Sequence, residues 1–79
     1  MELKNKIYIL GAVWCNTCAM VKPQAHAKIT GLNEIDVDEN PEVSESLGIM
    51  SLPTIVDNRE GKKDIYSGAG KCLEFINKF

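Results

Sequence analysis

Lys6-Ile7-Tyr8-Ile9-Leu10, then Gly11-Ala12-Val13-Trp14, then Cys15-Asn16-Thr17-Cys18, is the stretch from which the fold can be read. The first segment is apolar and rich in β-formers, without clean alternation. It reads as a strand buried on both faces. Gly11 to Trp14 lead out as a loop. From Asn16 the pattern turns helical: Cys18, Val21, Ala25 and Ile29 recur at helical spacing and form one apolar face. Gly31 supplies a stop, and Pro23 inside the helix is expected to kink it.

Working outward, Leu32 to Asp38 reads as a second strand. Asn40-Pro41-Glu42 is a helix start, with Asn as cap, Pro at the first helical position and an acid in the first turn. Val43 and Leu47 share a face of that short helix, and Gly48 ends it. Leu52-Pro53-Thr54-Ile55-Val56 reads as a third strand opened by a proline. Asp57 to Gly61 is a hairpin-type loop, and Asp64-Ile65-Tyr66 a short fourth strand. Ser67-Gly68-Ala69-Gly70 is a turn. The last helix places Ala69, Leu73, Ile76 and Phe79 on one face. The order is β-α-β-α-β-β-α. It predicts an α/β fold in which a right-handed crossover joins a parallel pair and a hairpin adds antiparallel edges.

The 79 residues suit a single domain, 1–79. A net charge of −2, without a basic cluster longer than Lys62-Lys63, argues against nucleic-acid or membrane-surface partners. The charged start and the short, Gly-broken apolar run behind it do not read as a signal peptide, and no stretch approaches membrane-spanning length. Three cysteines are an odd number, which suits a disulfide-stapled secreted scaffold poorly. A cytoplasmic protein is expected, and in that compartment a close cysteine pair is more often catalytic or metal-binding than structural.

Cys15 falls at the N-cap of the first helix, with Cys18 one turn in. Free backbone N–H groups and the helix dipole both favour negative charge there, so a thiolate at Cys15 is stabilised and becomes the nucleophile. The spacing can bring both sulfurs within bonding range. Cys18, on the inward face, is the expected resolver of a mixed disulfide. A Cys-x-x-Cys is also half of a tetrahedral metal site. The remaining candidate ligands, His26, Cys72 and carboxylates, form no second pair at ligand spacing, and strand–Cys-x-x-Cys–helix favours redox chemistry. A zinc or iron–sulfur module stays as the reading from another class. Cys72 reads as a buried, inert thiol and His26 as a solvated side chain. Met50, Leu52 and Met20 are candidates for an apolar rim, and Trp14 both packs on the fold and shapes that surface.

Trp14-Cys15-Asn16-Thr17-Cys18, Pro23, the run Asp36-Val37-Asp38-Glu39-Asn40-Pro41 with Leu47-Gly48-Ile49-Met50-Ser51-Leu52-Pro53-Thr54, and Gly68 occur in the order found in the thioredoxin and glutaredoxin superfamily. The sequence resembles that superfamily over nearly its whole length. The resemblance implies a thioredoxin-like fold with a four-stranded mixed sheet flanked by helices, and thiol–disulfide oxidoreductase activity. It implies a cis Leu52-Pro53 bond facing the cysteine pair, with the Leu52 backbone open to an extended substrate or glutathione. The implied substrate surface is Trp14, Asn16, Thr17, Leu52, Pro53 and Gly68; separately, polar Thr17 is expected to offer its hydroxyl, or a backbone amide its N–H, to the Cys15 sulfur. No bound cofactor is needed, since the cysteines carry the electrons. The implied partners are disulfide-containing proteins and an electron donor, either a flavin-dependent thioredoxin reductase or glutathione, acting on a monomer.

The chain departs from the family in three respects. It is short of the extra first strand and helix of full-length thioredoxins, and so resembles the glutaredoxin-sized, short thioredoxin-like proteins. Asn16-Thr17 stands between the cysteines in place of the Gly-Pro of thioredoxins. Apolar Ile9 matches the buried acid that thioredoxins keep before the motif, and Glu34 matches the lysine partnering that acid.

Overall fold

The computed structural model describes residues 6–59, 61 and 63–79. The charged start, and Glu60 and Lys62 of the hairpin loop, lie outside the described residues. Strand β1 (Ile7–Gly11) leads to helix α1 (Asn16–Lys28), strand β2 (Asn33–Asp36), helix α2 (Pro41–Leu47), strands β3 (Thr54–Asp57) and β4 (Asp64–Ser67), and helix α3 (Ala69–Ile76). The four strands form one sheet in the order β2-β1-β3-β4. β1 runs parallel to β2, with Ile9 opposite Glu34 and Gly11 opposite Asp36. It runs antiparallel to β3, with Ile9 opposite Ile55. β3 and β4 close the antiparallel hairpin.

All five residues of β1 are buried, because both faces of the strand are covered. Ile7 and Ile9 point toward α1 and α3, where they meet Val21, Ala25, Ile55, Phe75 and Ile76. Tyr8 and Leu10 point the other way, to Ile35, Val43 and Val56, with Leu47 and Ile49 against them. The period-two alternation of a strand thus serves two half-cores at once. α1 and α3 cover one face and α2 the other.

Several element boundaries differ from the sequence reading, each for a local reason. α1 ends at Lys28, ahead of Gly31, because Ile29 is already extended while its N–H still bonds Ala25 O at 2.8 Å. β2 stops at Asp36 rather than running to Asp38. The Asp36 carboxylate accepts the Asp38 N–H at 2.8 Å and its carbonyl accepts the Asn40 N–H at 3.0 Å, which turns the chain. Asn40 occupies the cap position of α2 but does not cap with its side chain; that amide donates back to Asp36 O at 3.1 Å. β3 begins at Thr54, since Leu52-Pro53 is a cis bond and proline has no N–H for the ladder. β3 is also interior, leaving β4 as the hairpin's edge strand. Ala69 and Gly70 belong to α3, with Gly68 as its cap. The buried face of α3 is Cys72, Phe75 and Ile76; Phe79 lies beyond the helix and is exposed, its ring edge-on to Phe75 at 5.2 Å.

Candidate active site

The site begins where β1 delivers the chain to α1. Ala12 is buried, Val13 and Trp14 are exposed, and the Cys15 N–H bonds Ala12 O at 3.1 Å, which tightens the turn. Cys15 is the N-cap of α1, in an extended conformation (φ −88°, ψ 108°), and its sulfur accepts the Cys18 backbone N–H at 3.2 Å. A helix start leaves its first N–H groups without partners inside the helix, and here a sulfur fills the role usually taken by a Ser or Asp oxygen. The Thr17 hydroxyl stands 3.4 Å from the same sulfur. Two hydrogen-bonding groups and the positive end of the helix therefore converge on Cys15.

Cys15 and Cys18 are joined as a disulfide, their Cα atoms 5.2 Å apart. The two sulfurs are unequal. Cys15 retains 8 % of its surface and lines an open cleft of about 560 Å³; Cys18 retains 1 % and does not line it. Ala12, Val37 and Leu52 pack around the pair. One wall of the cleft is Trp14, Asn16 and Thr17; the other is Ile49, Met50, Ser51 and Leu52. Met50 is almost wholly exposed, whereas Met20 lies outside the cleft lining.

The remaining candidates are placed as follows. Pro53 is fully buried beneath the rim, and only Leu52 of the cis pair lines the cleft. Gly68 does not line it either. It has φ +89° and its N–H bonds Pro53 O at 2.8 Å, so it braces the cis-proline loop from behind. Cys72 is buried, its S–H directed at Pro53 O (3.5 Å) and Tyr66 O (3.4 Å). Burial pushes its thiol up to about 11 from an ordinary 9.0. His26 is exposed, and its Nε2 lies 3.5 Å from the exposed Glu34 Oε2. Among the described residues no group of three or more His, Cys, Asp or Glu is placed to hold a metal ion.

Asp38 is the site residue that the sequence reading missed. Its carboxylate accepts the Trp14 indole N–H at 2.8 Å and so ties the active-site loop to the turn after β2. Asp38 stands inside the Asp36–Pro41 run, but nothing local to it announces a partner 24 residues away. Val37 and Ile49 were equally silent, as wall residues whose neighbours are set by the sheet.

The chain is similar to known proteins. A family model described as Thioredoxin matches residues 4–79. The thioredoxin of Alicyclobacillus acidocaldarius is 39 % identical over 57 residues, covering 65 % of this chain and 54 % of that protein. Thioredoxin H2 of Arabidopsis thaliana is 33 % identical over 66 residues, covering 75 % of this chain and 50 % of its own length. The chain thus spans about half the length of the curated relatives it matches. A solved structure of Plasmodium falciparum thioredoxin superposes with a TM-score of 0.78 at 28 % identity, over 94 % of this chain and 84 % of that one. A family match over nearly every residue establishes that the chain belongs to the thioredoxin family.

Proposed function

We propose that this chain is a thiol–disulfide oxidoreductase that reduces or exchanges disulfides in protein partners, with Cys15 as nucleophile and Cys18 as resolver. The observation that carries the reading is the Cys15 sulfur at the N-cap of α1, accepting the Cys18 N–H at 3.2 Å. A thiolate is favoured there over a thiol, because the N–H and the helix dipole stabilise the anion. In the reduced protein Cys15 attacks a substrate disulfide. One substrate sulfur becomes bonded to Cys15 and the other leaves as a thiolate. Cys18 then attacks the Cys15 sulfur and expels the second substrate thiolate. The chain is left with a Cys15–Cys18 disulfide, the state seen here. Two electrons pass from the dithiol to the substrate, and two protons follow them.

Trp14, Asn16, Thr17 and Leu52 offer the substrate surface, with Pro53 and Gly68 supporting the rim from behind. The open, largely apolar cleft suits an extended segment carrying a disulfide. The reading extends to one domain acting as a monomer in the cytoplasm. Its electron donor is a flavin-dependent reductase; the thioredoxin relatives support that choice over glutathione.

A mixed-disulfide trap tests the assignment. Cys18→Ser should leave Cys15 covalently joined to its partners, separable by non-reducing electrophoresis, while Cys15→Ser traps none and loses disulfide reduction. A Cys18→Ser protein whose Cys15 stays unmodified in the presence of oxidised partners sinks the assignment. Supplying the oxidised protein with NADPH and thioredoxin reductase, and separately with glutathione, identifies the donor.

A further inference from the structure

Lys22 stands one helical turn along α1 from Cys18, on the same side of the helix. Gly11 lies across from both. A Cβ built on Gly11 would stand 3.0 Å from Lys22 Cε, 3.2 Å from Cys18 Sγ and 3.3 Å from Cys18 Cβ. The lysine tip and the sulfur therefore share one crevice over the glycine. Those distances cap the Cε–Sγ separation at about 6 Å, a range in which a charge shifts its neighbour's ionisation. The ammonium, one bond further out, is held by Glu34 Oε1 at 3.3 Å. An ion pair this exposed does little for stability. A cation folded over a glycine beside a sulfur has an electrostatic use instead.

We propose that Lys22 is a positioning residue for Cys18: its ammonium favours the Cys18 thiolate in the resolving step, with Gly11 providing the space and Glu34 the tether. The proposal rests on the redox reading of the cysteine pair. In that step the Cys18 S–H gives its proton to solvent and its sulfur bonds to Cys15 Sγ. The Cys15–substrate bond breaks, its electron pair leaves on the substrate sulfur, and that sulfur takes up a proton from solvent. Lys22 keeps its own proton throughout and acts by charge alone.

The other titratable groups near Lys22 and Gly11 are on α1, on β2 and in the turn that follows it. His26 on α1 shares Glu34, at 3.5 Å. Asp36 on β2 is opposite Gly11 in the register, with its Oδ1 engaged by the Asp38 N–H. Asp38 is engaged by Trp14. Ala12, Val37 and Leu52, which pack around the cysteine pair, are apolar and bring no further charge to Cys18.

The test follows Cys18 alkylation against pH in a reduced Cys15→Ser background, where no second thiolate couples to it. Peptide mapping by mass spectrometry counts Cys72 apart. Lys22→Met should raise the apparent pKa of Cys18 by about half a unit to one unit. In the full dithiol protein it should slow release of substrate from the mixed disulfide about threefold to tenfold at neutral pH. Lys22→Arg, which keeps the charge, restores both. If Lys22→Met leaves the Cys18 titration unchanged while the wild-type protein reduces disulfides, the role of Lys22 is overturned and the cysteine assignment stands. A wild-type protein that reduces no disulfide overturns the underlying reading instead.

Discussion

Cys15 and Cys72 are the same side chain in opposite surroundings. Cys15 sits at a helix start with N–H and O–H groups around its sulfur, so an anion is welcome. Cys72 is sealed inside the α1–α3 half-core, where a charge has no solvent, and burial pushes its thiol up to about 11, a backbone hydrogen bond from Ile55 offsetting part of the rise. This difference has a pH consequence. The fold favours the neutral thiol, while the unfolded chain ionises near the ordinary 9.0. Below 9.0 the Cys72 contribution to stability is fully present; between 9.0 and about 11 the unfolded state sheds the proton first, and the contribution is lost. Urea midpoints of the oxidised protein should fall across that window. The fall should be shallower in Cys72→Ala, which has no thiol to titrate.

The helices position the site through their ends more than through their lengths. α1 is capped by the Cys15 sulfur, so the cap and the proposed nucleophile are one group. α2 has the sequence of a capped helix, yet the Asn40 side chain serves the preceding turn. Its termination is firmer: Gly48 takes the left-handed conformation (φ 66°, ψ 33°), and the Ile49 N–H returns to Ser44 O at 2.9 Å. That reversal aims Ile49 to Leu52 at the cleft. Gly48→Ala should cost about 1 kcal/mol, since a Cβ is disfavoured at this φ. The melting temperature should drop by about 4–8 °C. An unchanged melting temperature would show that the turn does not depend on glycine.

At the scale of the whole molecule, a central two-sided strand divides the core. Ile9 and Ile55 are fully buried on the α1–α3 side, while Leu10 and Val56 are fully buried on the α2 side. A domain this small has a total stability of about 5–15 kcal/mol, so one cavity is a large fraction of it. Ile55→Ala should cost about 2–5 kcal/mol in urea unfolding. A loss well under 1 kcal/mol would mean that α3 closes over the space.

Local features of the sequence determined the order of elements and the heart of the site. A sulfur at a helix start, Pro41 entering α2, Gly48 leaving it and the apolar period of α1 all act within a few residues, so local spacing reveals them. Pro53 was legible as a break, and its cis geometry only through family likeness. Tertiary structure alone decided the clasp of Trp14 by Asp38, the crevice shared by Lys22 and Cys18, and the burial of Phe75 in place of Phe79. Those pairings join segments whose separation is set by sheet register and helix docking, and a chain read in order carries no periodicity for contacts made across a sheet.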